Sequence, residues 1–302
     1  MERVAAWLGG PRHRVILIGA ALFMVPLLMP LSAALIAFAT LLKGPREGAL
    51  AALGAASVLG VVMAVTGGQA VAMFAASVLM LAVMVAGATM VGRSGSLDFA
   101  FQLGTLGFAG LAGVLAGTAT GQALADQIAP EFAQALVSAG AAAGEAAQVA
   151  DMVARLLFGL ALGGMLFSLT MALLLGRWLE GLARPPQQVG SNFRALQLGR
   201  LVTIVASVVL VGALLTQGAG ALGNAAIVFV LAMVLQGLAV VHAVAGRLGL
   251  HPGWLVLVYA TLLLPTQLSA FVLMAVASTG YLDNWLGFRQ MRGPRPPGNN
   301  SE

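Results

Sequence analysis

Inside a bilayer an ionisable or amide side chain has no water to solvate it, so each one within an apolar run is a candidate for chemistry. This chain offers few. His242 lies toward the end of the apolar run 222–245, and Gln236 shares that helix about 120° around it at ~100° per residue. Asn224, Thr261, Thr266 and Gln267 form a sparser polar set, and Pro265 frees a backbone carbonyl beside the last two. Broken helices with exposed backbone groups are one way transporters build substrate sites. Asn224, Gln236, His242 and Gln267 are therefore the candidate substrate contacts. The structural alternatives are a neutral histidine hydrogen-bonded between helices and a proline kink satisfied by neighbouring hydroxyls. No carboxylate lies in a predicted span to partner His242, which argues against proton coupling.

Other chemistry is missing from the pattern. There is no phosphate-binding Walker loop, no His-Glu-x-x-His and no Gly-x-Ser-x-Gly, so no catalytic residue is expected and the chain reads as a non-enzyme. ATP-driven work would need a separate energising ATPase module. Cysteine is absent, which removes disulfides, thiolate nucleophiles and cysteine metal sites. Met73, Met80 and Met84 share a helical face without a histidine or cysteine beside them, a packing pattern rather than a soft-metal site. Neither a metal nor a cofactor is expected.

The elements that must position these residues follow from composition. Of 302 residues 60% are hydrophobic and 8% charged, against roughly a quarter charged in a soluble domain. A hydrocarbon core about 30 Å thick takes around 20 apolar residues per helix. Such runs recur at 49–65, 70–91, 103–119, 156–175, 201–215, 222–245 and 254–279, and the first stretch, 15–42, is either one kinked helix or a hairpin around Pro26 and Pro30. Runs apolar on every face exclude a β-barrel, whose strands alternate. The expected fold is an all-α polytopic transmembrane bundle of eight or nine spans, one domain over 1–291 with a disordered tail at 292–302.

The net charge of +5 is dispersed among the loops, where it reads as a topology signal and not as a nucleic-acid surface. The loop 120–154 carries Asp126, Glu131, Glu145 and Asp151 with no basic residue before Arg155, so it is placed outside. Its composition suggests an amphipathic helix on the outer surface, either a solvated charged face or a lid over a cavity. The loop 177–200 holds Arg177, Arg184, Arg194 and Arg200 against Glu180, so it is cytoplasmic. The ends fit less simply: a cytoplasmic N-terminus requires the first stretch to be a hairpin. A straight last span puts Arg289 outside, whereas a break at Pro265 allows a re-entry. Glycines such as Gly159-x-x-x-Gly163 let helix backbones approach closely, within one bundle or between two copies of a homodimer.

Three segments carry a resemblance: residues 41–48, Leu-Leu-Lys-Gly-Pro-Arg-Glu-Gly; residues 190–200, Gly-Ser-Asn-Phe-Arg-Ala-Leu-Gln-Leu-Gly-Arg; and residues 236–242 with Trp254, Tyr259 and 283–289, Asp-Asn-Trp-Leu-Gly-Phe-Arg. They resemble the YybS-like family of bacterial multipass membrane proteins, a domain of unknown function. That likeness implies a multi-pass protein of the bacterial cytoplasmic (inner) membrane. More distantly, the Gly44-Pro45-Arg46-Glu47-Gly48 turn resembles one in substrate-capture subunits of energy-coupling-factor transporters, which bind a vitamin or metal and dock on an energising module.

Two functional readings follow. The first is a small-molecule, vitamin-like capture or transport subunit with its cavity between the spans. The second is a non-catalytic scaffold, assembly factor or sensor acting through its basic cytoplasmic face. There Phe193, Arg194 and Arg200, with Asp283, Trp285 and Arg289, would meet a partner or anionic headgroups.

Overall fold

The computed structural model describes residues 1–25, 28–67, 70–184, 191–251, 253–264 and 266–289, and no strand occurs among them. The helices run in order α1 (Glu2–Leu8), α2 (Arg12–Phe23), α3 (Met29–Lys43), α4 (Pro45–Val65), α5 (Ala70–Ser94), α6 (Leu97–Gly117) and α7 (Ala119–Ser138). There follow α8 (Ala143–Arg155), α9 (Leu157–Ala183), α10 (Ser191–Ala195), α11 (Gly199–Leu215), α12 (Gly220–Arg247), α13 (Gly253–Leu263) and α14 (Gln267–Leu286). Pro26, Pro265 and the expected tail at 292–302 lie outside the described residues.

The span count is smaller than composition suggests. Among the described residues five helices are long and apolar enough to cross a membrane: α4, α5 over Phe74–Ser94, α6, α9 and α12. A sixth span arises if the bent pair α13 and α14 counts as one. The expected eight or nine included two stretches that the chain does not make long enough. The stretch 15–42 divides into α2 and α3, and the 15 residues of α3 rise only ~22 Å. The 17 residues of α11 rise ~26 Å, also short of the hydrocarbon thickness.

The chain forms two compact units, Met1–Gly104 with Gly164–Phe193, and Thr105–Gly163 with the chain from Arg194 onward. In the first, α2, α3, α4 and α5 pack on one another. The Gly-Pro-Arg turn has a physical basis here. Gly44 takes φ +94°, a conformation closed to most side chains, and Pro45 opens α4 with its preset φ. Gly48 then packs on Thr40, where a Cβ would overlap the threonine hydroxyl that already bonds the Ile36 carbonyl.

In the second unit the stretch 120–154, expected as an outer loop, becomes two helices, α7 and α8, packed as a hairpin around Gly140 at φ +100°. Ala146, Ala150 and Ala154 at four-residue spacing are the buried face of α8. The last helices form a bent pair, α13 and α14 at 118°, a broken span or a re-entrant loop, and Arg247 Nη1 at the end of α12 donates to the Phe288 carbonyl just beyond α14 at 3.3 Å. The end of α14 therefore returns to the end of α12 from which α13 departs. Where α12 and α14 cross, Gly237 and Gly280 bring the backbones together; a Cβ on Gly280 would lie 2.7 Å from Gly237 N.

Candidate functional site

Helix ends leave carbonyls without an intrahelical partner, and in lipid each must find one. The basic residues supply many of them. In the first unit Arg14 Nη1 reaches the Trp7 carbonyl at 2.7 Å, Lys43 the Gly10 carbonyl, Arg177 Nη2 the Gly95 carbonyl at 3.2 Å and Arg184 Nη2 the Leu42 carbonyl at 2.7 Å. In the second, Arg289 Nη1 donates to the Arg194 and Leu196 carbonyls at 2.9 and 3.1 Å. Cations at helix C-termini are also favoured by the helix dipole. Much of the arginine pattern that signals topology thus fastens one helix end to another segment.

Arg289 is part of a larger polar knot. Its Nε and Nη2 donate to Asp283 Oδ2 at 3.0 and 2.6 Å, and Gln236 Nε2 donates to the same oxygen at 3.1 Å. Gln236 Oε1 accepts from Leu198 N at 2.9 Å, and Asn284 Oδ1 accepts from Gly199 N at 3.0 Å. These two amides are orphan donors at the start of α11, so α12 and α14 cap α11 from outside it. Gln236 is wholly buried and Asp283 is 2% exposed. Asp283 Oδ1 has no partner among the described residues.

Asn224 makes a second joint, in the first turns of α12. It is wholly buried. Its Nδ2 donates to the Arg155 carbonyl at 2.8 Å and to the Gly220 carbonyl at 3.0 Å, while Oδ1 accepts from Gly159 N at 2.8 Å. One amide thus satisfies the last turn of α8 and the first turn of α9. Gly159 permits this approach, since a Cβ there would lie 2.5 Å from the Asn224 carbonyl oxygen, and Gly163 one turn on packs against Leu231. The Gly-x-x-x-Gly pair is an internal packing seam.

Beside this joint a cleft of about 750 Å³ opens between α8, α11 and the start of α12. Asp151, Met152 and Arg155 of α8 line one side, and Leu210, Leu214 and Ile227 the other. Gln148 and Gln217 add neutral polar groups, and the floor is otherwise apolar. Arg155 Nη2 and Asp151 Oδ2 pair at 2.6 Å across one helical turn, both side chains more than half exposed. Met152 and Leu214 are 56% and 78% exposed at the rim. The cleft lies within the range of small-molecule sites, with an apolar wall and a few convergent polar groups.

Family models, curated proteins and solved structures were all compared with the chain. It matches none of them. The likeness to YybS-like proteins and to capture subunits rests on short segments such as 41–48, 190–200, 236–242 and 283–289 alone; the fold itself is a polytopic all-α membrane-spanning bundle.

The four candidate substrate contacts are not brought together. Asn224 and Gln236 sit in separate joints and bond protein groups. His242 Nδ1 lies 2.8 Å from the Leu238 carbonyl of its own helix, and Nε2 lies 3.5 Å from the Tyr259 hydroxyl. A carbonyl only accepts, so Nδ1 carries the proton and Nε2 faces a hydroxyl donor. Gln267 is exposed at the start of α14. Of the candidate cytoplasmic surface, Asp283 and Arg289 turn into the knot and Phe193 is half-buried. Arg194 lays its guanidinium against Gly246, and Arg194, Arg200 and Trp285 are exposed. Asn284, Asp151 and Arg155 were not among the candidate site residues. An acid and a base four apart at the end of an amphipathic helix was the available signal for the latter two. Nothing in the sequence announced Asn284, whose distant partners are the Gly199 amide and the Gln236 side chain.

Proposed function

We propose that this chain is a non-catalytic integral membrane protein that captures a small amphiphilic molecule at its outer face, as a capture or transport subunit. The observation that carries this is the cleft of about 750 Å³ between α8, α11 and α12, with its apolar wall and charged rim. The positive-inside pattern favours the outside for this end, because the opposite end of α11 joins the Arg289 knot and α12 ends at Arg247. Asn224 serves the site as a positioning residue, bolting the last turn of α8 to α12. A role centred on the basic face has less support, since Asp283 and Arg289 spend their polar groups on the protein. Energy coupling, if the captured molecule is moved, belongs to a separate partner.

Native mass spectrometry of the full chain released from its own membrane tests the reading. The expected result is one retained amphiphile per chain, lost on Ala219→Trp, which fills the cleft from the exposed N-cap of α12. Retention that is unchanged by Ala219→Trp counts against the cleft as the site.

A further inference from the structure

We infer that the molecule held in the cleft is a zwitterionic amphiphile, one whose polar head carries both a cation and an anion. This rests on the capture reading above and names the chemistry of that site. The charged groups lining the cleft are Asp151 and Arg155, one of each sign, paired with each other on adjacent turns of α8. Their mutual bond is exposed, so it is weak and readily exchanged. A zwitterionic head exchanges it for two: its cation meets the Asp151 carboxylate and its anion the Arg155 guanidinium, a geometry the planar guanidinium is built to accept. No charge is left unpaired. An anionic head would take Arg155 but strand Asp151 against like charge, and a cationic head would do the reverse. An uncharged head gains nothing from either.

The rest of the lining suits the remainder of such a molecule. Leu210, Leu214 and Ile227 present an apolar wall for a chain, and Met152 and Leu214 stand exposed at its rim. Asn224 holds the Arg155 backbone through its carbonyl, which fixes where the pair stands over this wall. Headgroup recognition and chain burial are therefore built into one end of α8.

The chain has no cysteine, so a single Leu214→Cys carrying an environment-sensitive fluorophore reports on the cleft alone. The full-length protein in non-ionic detergent is titrated with four probes of equal tail: hexylphosphocholine, hexyl phosphate, hexyltrimethylammonium and hexyl glucoside. Hexylphosphocholine is expected to bind at least about tenfold tighter than the other three, the worth of one added charge-assisted contact. Asp151→Asn frees Arg155 and shifts the preference toward hexyl phosphate; Arg155→Gln shifts it toward hexyltrimethylammonium. Both variants alter an exposed pair on one helix turn and leave the fold intact. Equal binding of all four probes, unmoved by either variant, overturns the zwitterion while leaving capture standing. No response to any probe overturns both.

Discussion

Replacing Gln236 by leucine isolates what the buried knot contributes. The side chain is wholly buried, so its shape is nearly kept while its four hydrogen bonds vanish. Two losses matter. The Leu198 amide, an orphan donor before α11, is left without its 2.9 Å partner, at about 1–3 kcal/mol for a buried unsatisfied group. Asp283 Oδ2 loses one of three donors beside an Oδ1 that already lacks one, adding about 1 kcal/mol. The expected total is about 3 kcal/mol, or a drop of roughly two orders of magnitude in the folding equilibrium. Gln267→Leu, at an exposed position, is the control and should stay within about 0.5 kcal/mol. Steric-trapping measurements of unfolding in micelles give both numbers, and hydrogen exchange at Leu198 gives the local one. A loss under about 1 kcal/mol with the Leu198 amide still protected would refute the capping role.

Asn224→Ala removes two bonds at the α8–α9 joint and one within α12 and should cost about 2–4 kcal/mol, measured by the same unfolding assay, with α8 amides exchanging faster. Gly280→Ala forces a Cβ against Met233 and Gly237 and should lower stability by about 3 kcal/mol. Gly107→Ala and Gly110→Ala meet open space and should be neutral or slightly stabilising in thermal denaturation. A reporter enzyme fused after Arg289 should report the same side as one inserted after Gly249, in the turn that follows α12, because α14 returns to the end of α12; opposite sides would contradict the re-entry.

The helical class and the cores of α4, α5, α6, α9 and α12 were legible because apolar length alone specifies them. The span count was not, because α3 and α11 are as apolar as true spans and differ only in where they stop. Those stops are tertiary. Helix α11 begins where Gln236 and Asn284 cap it, and neither residue is near Gly199 in sequence. The loop 120–154 was legible as helical and amphipathic, while its division into α7 and α8 depends on Gly140 adopting a positive φ. Polar residues in apolar runs were correctly conspicuous at Asn224 and Gln236, yet their types do not distinguish a ligand contact from a cap. Only their backbone partners make that distinction, and the deciding ones, Leu198, Gly159 and Arg155, lie 38 to 69 residues away.

Cysteine labelling in right-side-out vesicles tests the central claim most directly, since the chain has no native thiol. Leu214→Cys at the cleft rim should react with a membrane-impermeant maleimide from outside and be protected by the cleft's ligand, while Arg200→Cys at the far end of α11 should react only after permeabilisation. Labelling of Arg200→Cys from outside, or of Leu214→Cys regardless of ligand, would contradict an outward-facing capture site.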